Sequence, residues 1–225
     1  MRRMVLAACA ALAAGSLGFS APPRVLPLDS IEGFKAFNVK PEVVRYRGQH
    51  AIRLLDRPVE GVSRGGGALV ILPGTNFKNG TIEIEVAGAP REGAAEGARG
   101  FIGLAFRVKP DGSKYECFYL RPTNGRADDQ LRRNHSTQYI SEPGFPWELL
   151  RKDSPGVYES YVDLAAGVWT KMKIVVEGVK AQLFVNGSDQ PVLIVNDLKQ
   201  GETEGALALW TGLDTDGYFS NLTIR

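Results

Sequence analysis

Residues 171–187 read KMKIVVEGVKAQLFVNG, and this stretch decides the fold class. Its apolar side chains at positions 172, 174 and 176 alternate with a second set at 171, 173 and 175, which is the period-two pattern of a half-buried strand. Gly178 indicates a tight turn, the apolar run returns over 181–185, and Asn186-Gly187 is the strongest hairpin signal in the chain. The stretch therefore predicts neighbouring antiparallel strands.

Strand signals of the same kind recur on both sides of this stretch. Residues 81–86 alternate strictly, and the runs 101–108 and 115–121 flank Asp111-Gly112, a turn pair that predicts a hairpin. Further strands are expected at 51–56, 68–72, 192–195, 206–210 and 218–224, with only a weak helical turn at 146–152. Many short strands separated by Gly, Pro and Asn turns predict an all-β fold, either a sandwich or a barrel.

Alternation also assigns faces within the predicted hairpin. One face of its first strand takes Ile102, Leu104, Phe106 and Val108, and the other takes Phe101, Gly103, Ala105 and Arg107. In the second strand, Phe118 and Leu120 are expected in the core, so that Tyr119 and Arg121 point to the concave surface. Glu116 then faces the core, where it needs a partner such as an arginine. It is either a member of a buried ion pair or an acid with a raised pKa.

The first 21 residues have the three-part pattern of a secretory signal peptide. Arg2 and Arg3 precede an apolar run over 4–17, and small residues follow up to Ala21. Cys9 follows a lipoprotein-like Leu-Ala-Ala, but it stands too early in the apolar run to favour lipidation. The sequence predicts a signal peptide at 1–21 and one β domain at 22–225, without a membrane span, in the periplasm or outside the cell.

Charge and cysteine content exclude some classes of partner. The chain carries a net charge of +2, and removal of Arg2 and Arg3 with the signal peptide brings it to zero. A neutral chain has no general attraction for phosphate backbones, so nucleic acid is not expected as a partner. Cys117 is then the one remaining cysteine, which excludes an intrachain disulfide, and its apolar strand pattern predicts a buried thiol.

The closing third of the chain resembles a known group of jelly rolls. Trp169 stands before a strand, a hairpin ends in Val-Asn-Gly at 185–187, and the last strand contains Phe-Ser-Asn-Leu at 219–222. This pattern resembles concanavalin A-like and laminin G-like domains, and the resemblance implies that residues 22–225 form an all-β jelly-roll sandwich of two antiparallel sheets. The whole chain is similar to exported bacterial proteins related to keto-glycoside hydrolases. The resemblance implies sugar as the class of substrate, and the fold alone does not decide the activity.

A long polar connection, residues 122–156, is expected to carry the chemistry. Connections of this length within compact domains are usually functional, and this one mixes aromatic with planar polar residues, which suits sugars. The predicted catalytic residues are His135 and Asp129 for proton transfer, with Glu116 as a third candidate. The predicted substrate-binding residues are Tyr119, Arg121, Asn124, Arg126, Arg133 and Trp147.

A purely architectural interpretation of the connection stays open. In it, Arg126 pairs with Asp128 or Asp129, Arg132 or Arg133 pairs with Glu142 or Glu148, and His135 is structural.

Two other acidic pairs are weaker candidates. Glu83 and Glu85 lack the third carboxylate of the Glu-x-Asp-x-x-Glu pattern of jelly-roll glucanases, since Gly88 stands in its place. Asp214 and Asp216 lack the remainder of a calcium loop, so a turn is favoured over a structural calcium site. No other metal or cofactor is expected.

Two functions follow as alternatives. The first is an exported carbohydrate-active enzyme that cleaves a glycosidic bond in a glycan or a keto-disaccharide. The second is a non-catalytic, lectin-like carbohydrate-binding module, which the incomplete catalytic motif favours. Whether the protein is an enzyme is left open by the sequence.

Overall fold

The computed structural model describes residues 22–55 and 67–225, and the expected signal peptide with Cys9 lies outside them. Two short helices, α1 (Gln130–Arg133) and α2 (Trp147–Asp153), and a 3-10 turn at Pro122–Asn124 accompany the strands. Neither helix is long and apolar enough to cross a membrane. In chain order the strands are β1 (Arg24–Leu26), β2 (Lys35–Phe37), β3 (Pro41–Tyr46), β4 (Gln49–Leu55), β5 (Ala68–Ile71), β6 (Gly80–Pro90), β7 (Ile102–Val108), β8 (Tyr115–Leu120), β9 (Thr137–Glu142), β10 (Glu159–Ser160), β11 (Thr170–Glu177), β12 (Lys180–Val185), β13 (Leu193–Val195), β14 (Ala206–Thr211) and β15 (Thr215–Ile224).

The strands form two antiparallel sheets. The eight-stranded sheet has the order β13-β12-β11-β6-β15-β4-β3, with β1 paired to β15. The seven-stranded sheet has the order β10-β9-β8-β7-β14-β5-β2. Chain neighbours such as β11 and β12 pair as hairpins, whereas β6 pairs with the distant β11 and β15. The predicted jelly-roll sandwich is confirmed.

The main core lies between the sheets and is built from the alternating faces that the sequence predicts. Ile84 of β6, Ile174 of β11, Leu104 of β7 and Phe118 of β8 are all buried members of one apolar cluster. Alternation places these side chains inward because successive residues of a strand point to opposite faces.

A second apolar cluster covers the outer face of the seven-stranded sheet. It contains Tyr115, Cys117 and Tyr119 from β8, Ala105 from β7 and Trp210 from β14. The predicted division of β8 into two faces is therefore confirmed. Cys117 is fully buried, as expected, and burial raises the pKa of its thiol well above the ordinary value.

The predicted face of Val108 is wrong because β7 contains a bulge. Arg107 has a positive φ of 54°, and the register with β14 shifts between Ala206 and Ala208. The extra residue reverses the alternation, so Val108 joins the outer cluster instead of following Phe106 into the core. Arg107 is itself buried, and it donates hydrogen bonds to the carbonyl oxygens of residues 78, 178 and 201.

The prediction of one long loop over 122–156 is also wrong. The segment contains the 3-10 turn, α1 and α2, and its middle forms β9, which pairs with β8 along its whole length. Strand β9 escapes detection because Thr, Gln, Ser and Glu occupy four of its six positions. The two remaining pieces, 122–136 and 143–156, flank β9.

Candidate functional site

Two cavities that share lining residues lie on the outer face of the seven-stranded sheet. The aromatic cavity has a volume of about 350 Å³, and its lining includes Tyr115, Tyr119, Trp210, Glu142 and Glu148. The arginine cavity has a volume of about 390 Å³, and its lining includes Arg99, Arg121, Arg132, Arg151 and His135. Phe101 and Trp147 line both cavities. We call the two together the groove.

The floor of the aromatic cavity is set by strand register. Gly103 of β7 stands between Tyr119 of β8 and Trp210 of β14 in the ladder. Glycine has no side chain, so the two flanking rings meet across it with centroids 4.7 Å apart. Phe101 approaches Tyr119 edge to face at 6.1 Å. The floor thus presents a row of aromatic rings.

Trp147 stands between the two cavities. It is the first residue of α2, with 38% of its surface exposed. The guanidinium of Arg151, one helical turn later, lies 4.6 Å from the ring centroid, and that of Arg121 lies 5.6 Å from it. These cation–π contacts orient the indole, while its exposed part remains available for stacking.

Two carboxylates stand in the wall of the aromatic cavity. Glu142 ends β9 and Glu148 is the second residue of α2. Burial raises the pKa of the Glu142 carboxyl, and the nearby charge of Glu148 raises it further. A carboxyl of this kind holds its proton to higher pH than an ordinary glutamate and can act as a general acid.

The arginine cavity is organised around a buried carboxylate, Glu159 of β10. Arg151 donates to both of its oxygens, at 3.0 and 2.7 Å, and Arg121 Nη1 lies 3.7 Å from Oε2. His135 Nε2 lies 3.2 Å from Oε1. The carboxylate side chain is only 3% exposed. Glu159 therefore fixes three side chains that line the cavity.

Arg121 also ties the wall of the arginine cavity to the aromatic floor. It donates to the Tyr119 hydroxyl at 2.8 Å, to Gln138 Oε1 at 3.1 Å and to the carbonyl oxygen of His135 at 3.1 Å. Burial raises the pKa of Tyr119 to about 12, so its hydroxyl keeps its proton at neutral pH.

His135 is positioned as a neutral imidazole. Burial lowers its pKa below the ordinary value of 6.5, the Glu159 carboxylate opposes that effect, and the charges of Arg151 and Arg121 add to it. At neutral pH the ring is therefore uncharged and able to accept a proton.

The structure brings six of the predicted site residues to the groove and leaves three elsewhere. Tyr119 lines the aromatic cavity, Trp147 lines both, and Arg121, Asn124, Asp129 and His135 line the arginine cavity. Within this set, Asp129 is the N-cap of α1 and accepts from the backbone N–H of Arg132 at 2.8 Å. Asn124 donates to the carbonyl oxygen of His135 at 3.0 Å.

Glu116 lies in the main interior, away from the groove. It is fully buried, and it accepts from the Tyr139 hydroxyl at 2.5 Å and from the backbone N–H of Gln200 at 2.9 Å. The expected ion pair is wrong, because no cation of the described residues lies within 4 Å of this carboxylate. A hydroxyl and a backbone amide satisfy it instead.

Arg126 and Arg133 also lie outside both cavities, and their expected acidic partners are wrong. Arg126 is exposed and makes a bidentate pair with Asp163 at 2.7 and 2.9 Å. Arg133 donates to the Tyr161 hydroxyl at 3.0 Å, and its guanidinium lies 5.1 Å from that ring centroid. Both partners, Asp163 and Tyr161, lie in the segment after β10. No local sequence pattern predicts that this segment contacts Arg126 and Arg133.

The other acidic pairs are engaged by cations or amides. Glu83 lies within 4 Å of Lys171 and Arg225, and Glu85 accepts from Asn221 at 2.5 Å. Asp216 makes a bidentate pair with Arg53 at 2.8 and 2.9 Å, and Asp214 accepts from Arg91 at 2.5 Å. Within residues 22–55 and 67–225, no group of three or more His, Cys, Asp or Glu side chains has a metal-binding arrangement.

Sequence reasoning misses several residues of the groove. Glu159 and Arg151 lie on different short elements, and no spacing in the sequence predicts their contact. Trp210 and Phe101 lie in predicted strands, but their position beside Tyr119 depends on the pairing of β7 with β14. No local sequence pattern predicts that pairing. The sequence predicts Glu142 only as an ion-pair partner, whereas it lines the aromatic cavity.

The fold has well-matched counterparts among solved structures. A carbohydrate-binding module, CBM66 from Bacillus subtilis, matches with a TM-score of 0.58 and 13% identity over 86% of this chain and 96% of that one. A Bacillus subtilis protein of unknown function with a galectin-like fold matches with a TM-score of 0.58 and 12% identity, over 90% and 94% of the two chains. A β-glucanase from Bacillus licheniformis matches with a TM-score of 0.50 and 12% identity, over 90% and 97%.

These likenesses define the class of the fold. The protein has a concanavalin A-like jelly roll, as its closing strands predict. No family model and no curated protein matches the chain. At identities of 12–13% the comparisons carry the architecture alone, so function has to be argued from the groove.

Proposed function

We propose that the protein binds carbohydrate in the groove. The observation that carries the proposal is the junction of an aromatic floor with a wall of arginine, asparagine and histidine side chains. Aromatic rings pack on the apolar face of a sugar, while guanidinium and amide groups engage its hydroxyls in pairs. Cavities of about 350 and 390 Å³ fall within the range of small-ligand sites.

The solved structures with the same fold support this proposal. One of them is described as a carbohydrate-binding module and another as a β-glucanase. The fold is therefore used elsewhere in contact with glycans. Export, which the N-terminal sequence predicts, would place the protein among extracellular or periplasmic glycans, and N-terminal sequencing of secreted protein tests it.

Trp147 provides the direct test of binding. Trp147→Ala removes an exposed ring shared by both cavities, so affinity for a glycan identified on an array should fall about tenfold, the upper end of one stacking contact. Trp169→Ala is the matched control, because Trp169 packs edge to face with Tyr46 instead of lining the groove. Equal losses in both variants, or no binding to any glycan by the unaltered protein, would refute the proposal.

A second candidate function, glycoside cleavage, rests on Glu142. Its raised pKa and its position in the aromatic cavity suit an acid that protonates the leaving glycosidic oxygen, with Glu148 as the second carboxylate. His135, the residue predicted from sequence, is the other candidate for proton transfer. Glu116, in contrast, is buried too deeply to reach a substrate, and Asp129 is engaged in capping α1.

Cleavage and binding are separated by one pair of variants. With polysaccharides and keto-disaccharides as substrates, Glu142→Gln should lower kcat at least 100-fold while sugar binding persists, because general-acid catalysis contributes about that much. His135→Gln should then have a much smaller effect. Binding without bond cleavage in the unaltered protein would leave the carbohydrate-binding module as the function.

A further inference from the structure

The arginine cavity holds more positive than negative charge. Four arginines line it, at positions 99, 121, 132 and 151, whereas Asp129 is the one acidic residue that the described part of the chain contributes to its lining. Glu159 beneath the wall is shared among Arg151, Arg121 and His135. Neither Arg99 nor Arg132 forms an ion pair with a carboxylate anywhere in residues 22–55 and 67–225.

Arg99 and Arg132 are held in place by neutral groups. Arg99 donates from Nη1 to the carbonyl oxygens of Glu96 and Ala98, at 2.6 and 3.0 Å. Arg132 donates to Asn124 Oδ1 at 2.9 Å and to the Thr123 hydroxyl at 3.0 Å. These contacts orient two guanidinium groups without pairing either with a carboxylate; the charges of Arg132 and Arg121 both act on Arg99, and the charge of Glu96 opposes them.

The two halves of the groove differ in sign. Among the described residues, the aromatic cavity is lined by Glu142 and Glu148 and by no basic side chain, whereas the arginine cavity is lined by four guanidinium groups. An anion is therefore favoured in the arginine cavity over the aromatic cavity. A ligand with a ring at one end and an acid group at the other fits this arrangement in a single direction.

We infer that the saccharide bound in the groove is acidic, with a carboxylate or a sulfate ester seated against Arg99 and Arg132 and a sugar ring over the aromatic floor. The inference rests on the proposed carbohydrate binding and specifies its ligand class. Guanidinium groups bind both acid groups through paired, charge-assisted hydrogen bonds. The ligand thus supplies the negative charge that the cavity lacks.

The test compares oligosaccharides that differ only in the acid group. Calorimetry is performed with oligogalacturonate and its carboxyl-reduced neutral form, and with a sulfated galactan oligosaccharide and its desulfated form. At least one acidic member should bind about tenfold or more tightly than its neutral partner, which is the worth of a charge-assisted hydrogen bond. The advantage should shrink as salt rises. The pair of oligosaccharides that shows this advantage identifies the acid group as a carboxylate or a sulfate ester.

Arg99→Gln locates the effect within the cavity. It should lower the affinity for the acidic member far more than the affinity for its neutral partner, and so remove the preference for the acidic member. Arg126→Gln is the matched control, since Arg126 lies outside both cavities and pairs with Asp163; it should leave the preference intact.

Each failure has a separate meaning. Equal affinity for acidic and neutral members overturns the acidic ligand and spares carbohydrate binding, and so does a preference that survives Arg99→Gln. Absence of binding to all four oligosaccharides and to a glycan array overturns carbohydrate binding itself. Equal affinity for a single-stranded DNA of similar charge overturns the saccharide ligand.

Discussion

At the scale of single residues, the groove depends on one buried carboxylate. Glu159 is 3% exposed and is approached by Arg151, Arg121 and His135. A buried charge needs partners around it, and here two arginines lie within 4 Å of the carboxylate. The imidazole is then left neutral, because burial and the arginine charges outweigh the attraction of the carboxylate.

A neutral His135 makes stability depend on pH. Its folded-state pKa is lower than the unfolded value of 6.5, so its full contribution to the free energy of unfolding is present above pH 6.5. Below that pH the unfolded chain binds a proton that the folded chain resists, and stability falls. The charged groups around the ring are Glu159, Arg151, Arg121 and Asp129.

We therefore expect His135→Gln to flatten the loss of stability between about pH 7 and pH 5. Urea denaturation at several pH values measures it, with His50→Gln as the control, because His50 lies on β4 beside Arg45 and lines neither cavity. A slope that is unchanged in His135→Gln would show that folding does not lower the pKa of this ring.

At the scale of elements, three adjacent strands form the aromatic floor. The register β8-β7-β14 brings Tyr119, Gly103 and Trp210 side by side, and only a glycine at the centre lets the two rings meet. A Cβ at position 103 would lie 2.1 Å from the Phe118 carbonyl oxygen and 2.6 Å from the Tyr119 Cα. These are backbone atoms of β8, so they cannot move aside without displacing the strand.

Gly103→Ala should consequently lower the free energy of unfolding by about 1–3 kcal/mol, the cost of overpacking, and weaken saccharide binding by displacing Tyr119. Gly97→Ala controls for stability, since nothing lies within 4 Å of the added Cβ there and φ is not positive. Urea denaturation and calorimetry measure the two effects. Normal stability in Gly103→Ala would mean that the strands separate without cost.

The elements also show what the sequence can and cannot predict. Strands with clear alternation, such as residues 81–86 and 171–177, have the inward faces that the sequence predicts. Strand β9 escapes prediction because its polar residues are buried by pairing and by hydrogen bonds, as when Gln138 donates to the carbonyl oxygen of Tyr158 at 3.1 Å. The bulge at Arg107 escapes it too, because its cause is a non-local register shift against β14.

At the scale of the whole molecule, the chain separates stability from binding by using both faces of one sheet. The inner face of β8 carries Phe118 and Leu120 into the core between the sheets, and its outer face carries Tyr115 and Tyr119 to the groove. The sequence predicts this division and the location of the polar segment near Tyr119. It cannot predict that Glu159 contacts Arg151, because the two lie on different short elements, or that Trp210 lies beside Tyr119, because that contact depends on the pairing of β7 with β14.

The division implies that a core substitution changes stability alone. Phe118 is fully buried, with ring centroids of Phe106 and Tyr139 at 6.2 and 5.6 Å. Phe118→Leu roughly conserves its apolar character and should cost about 1 kcal/mol of unfolding free energy. Saccharide affinity, measured well below the unfolding temperature, should stay within about twofold, because the substituted side chain does not line the groove.

Trp147→Ala should show the opposite behaviour. The indole is 38% exposed and begins a short helix at the surface, so its removal should change the free energy of unfolding by about 0.5 kcal/mol while affinity falls about tenfold. If the two faces act independently, denaturation and calorimetry should show that Phe118→Leu lowers stability with little change in affinity. Trp147→Ala should lower affinity with little change in stability. A parallel loss of affinity in Phe118→Leu would instead mean that β8 transmits changes in core packing to the aromatic floor, and that the groove is held in shape by the core beneath it.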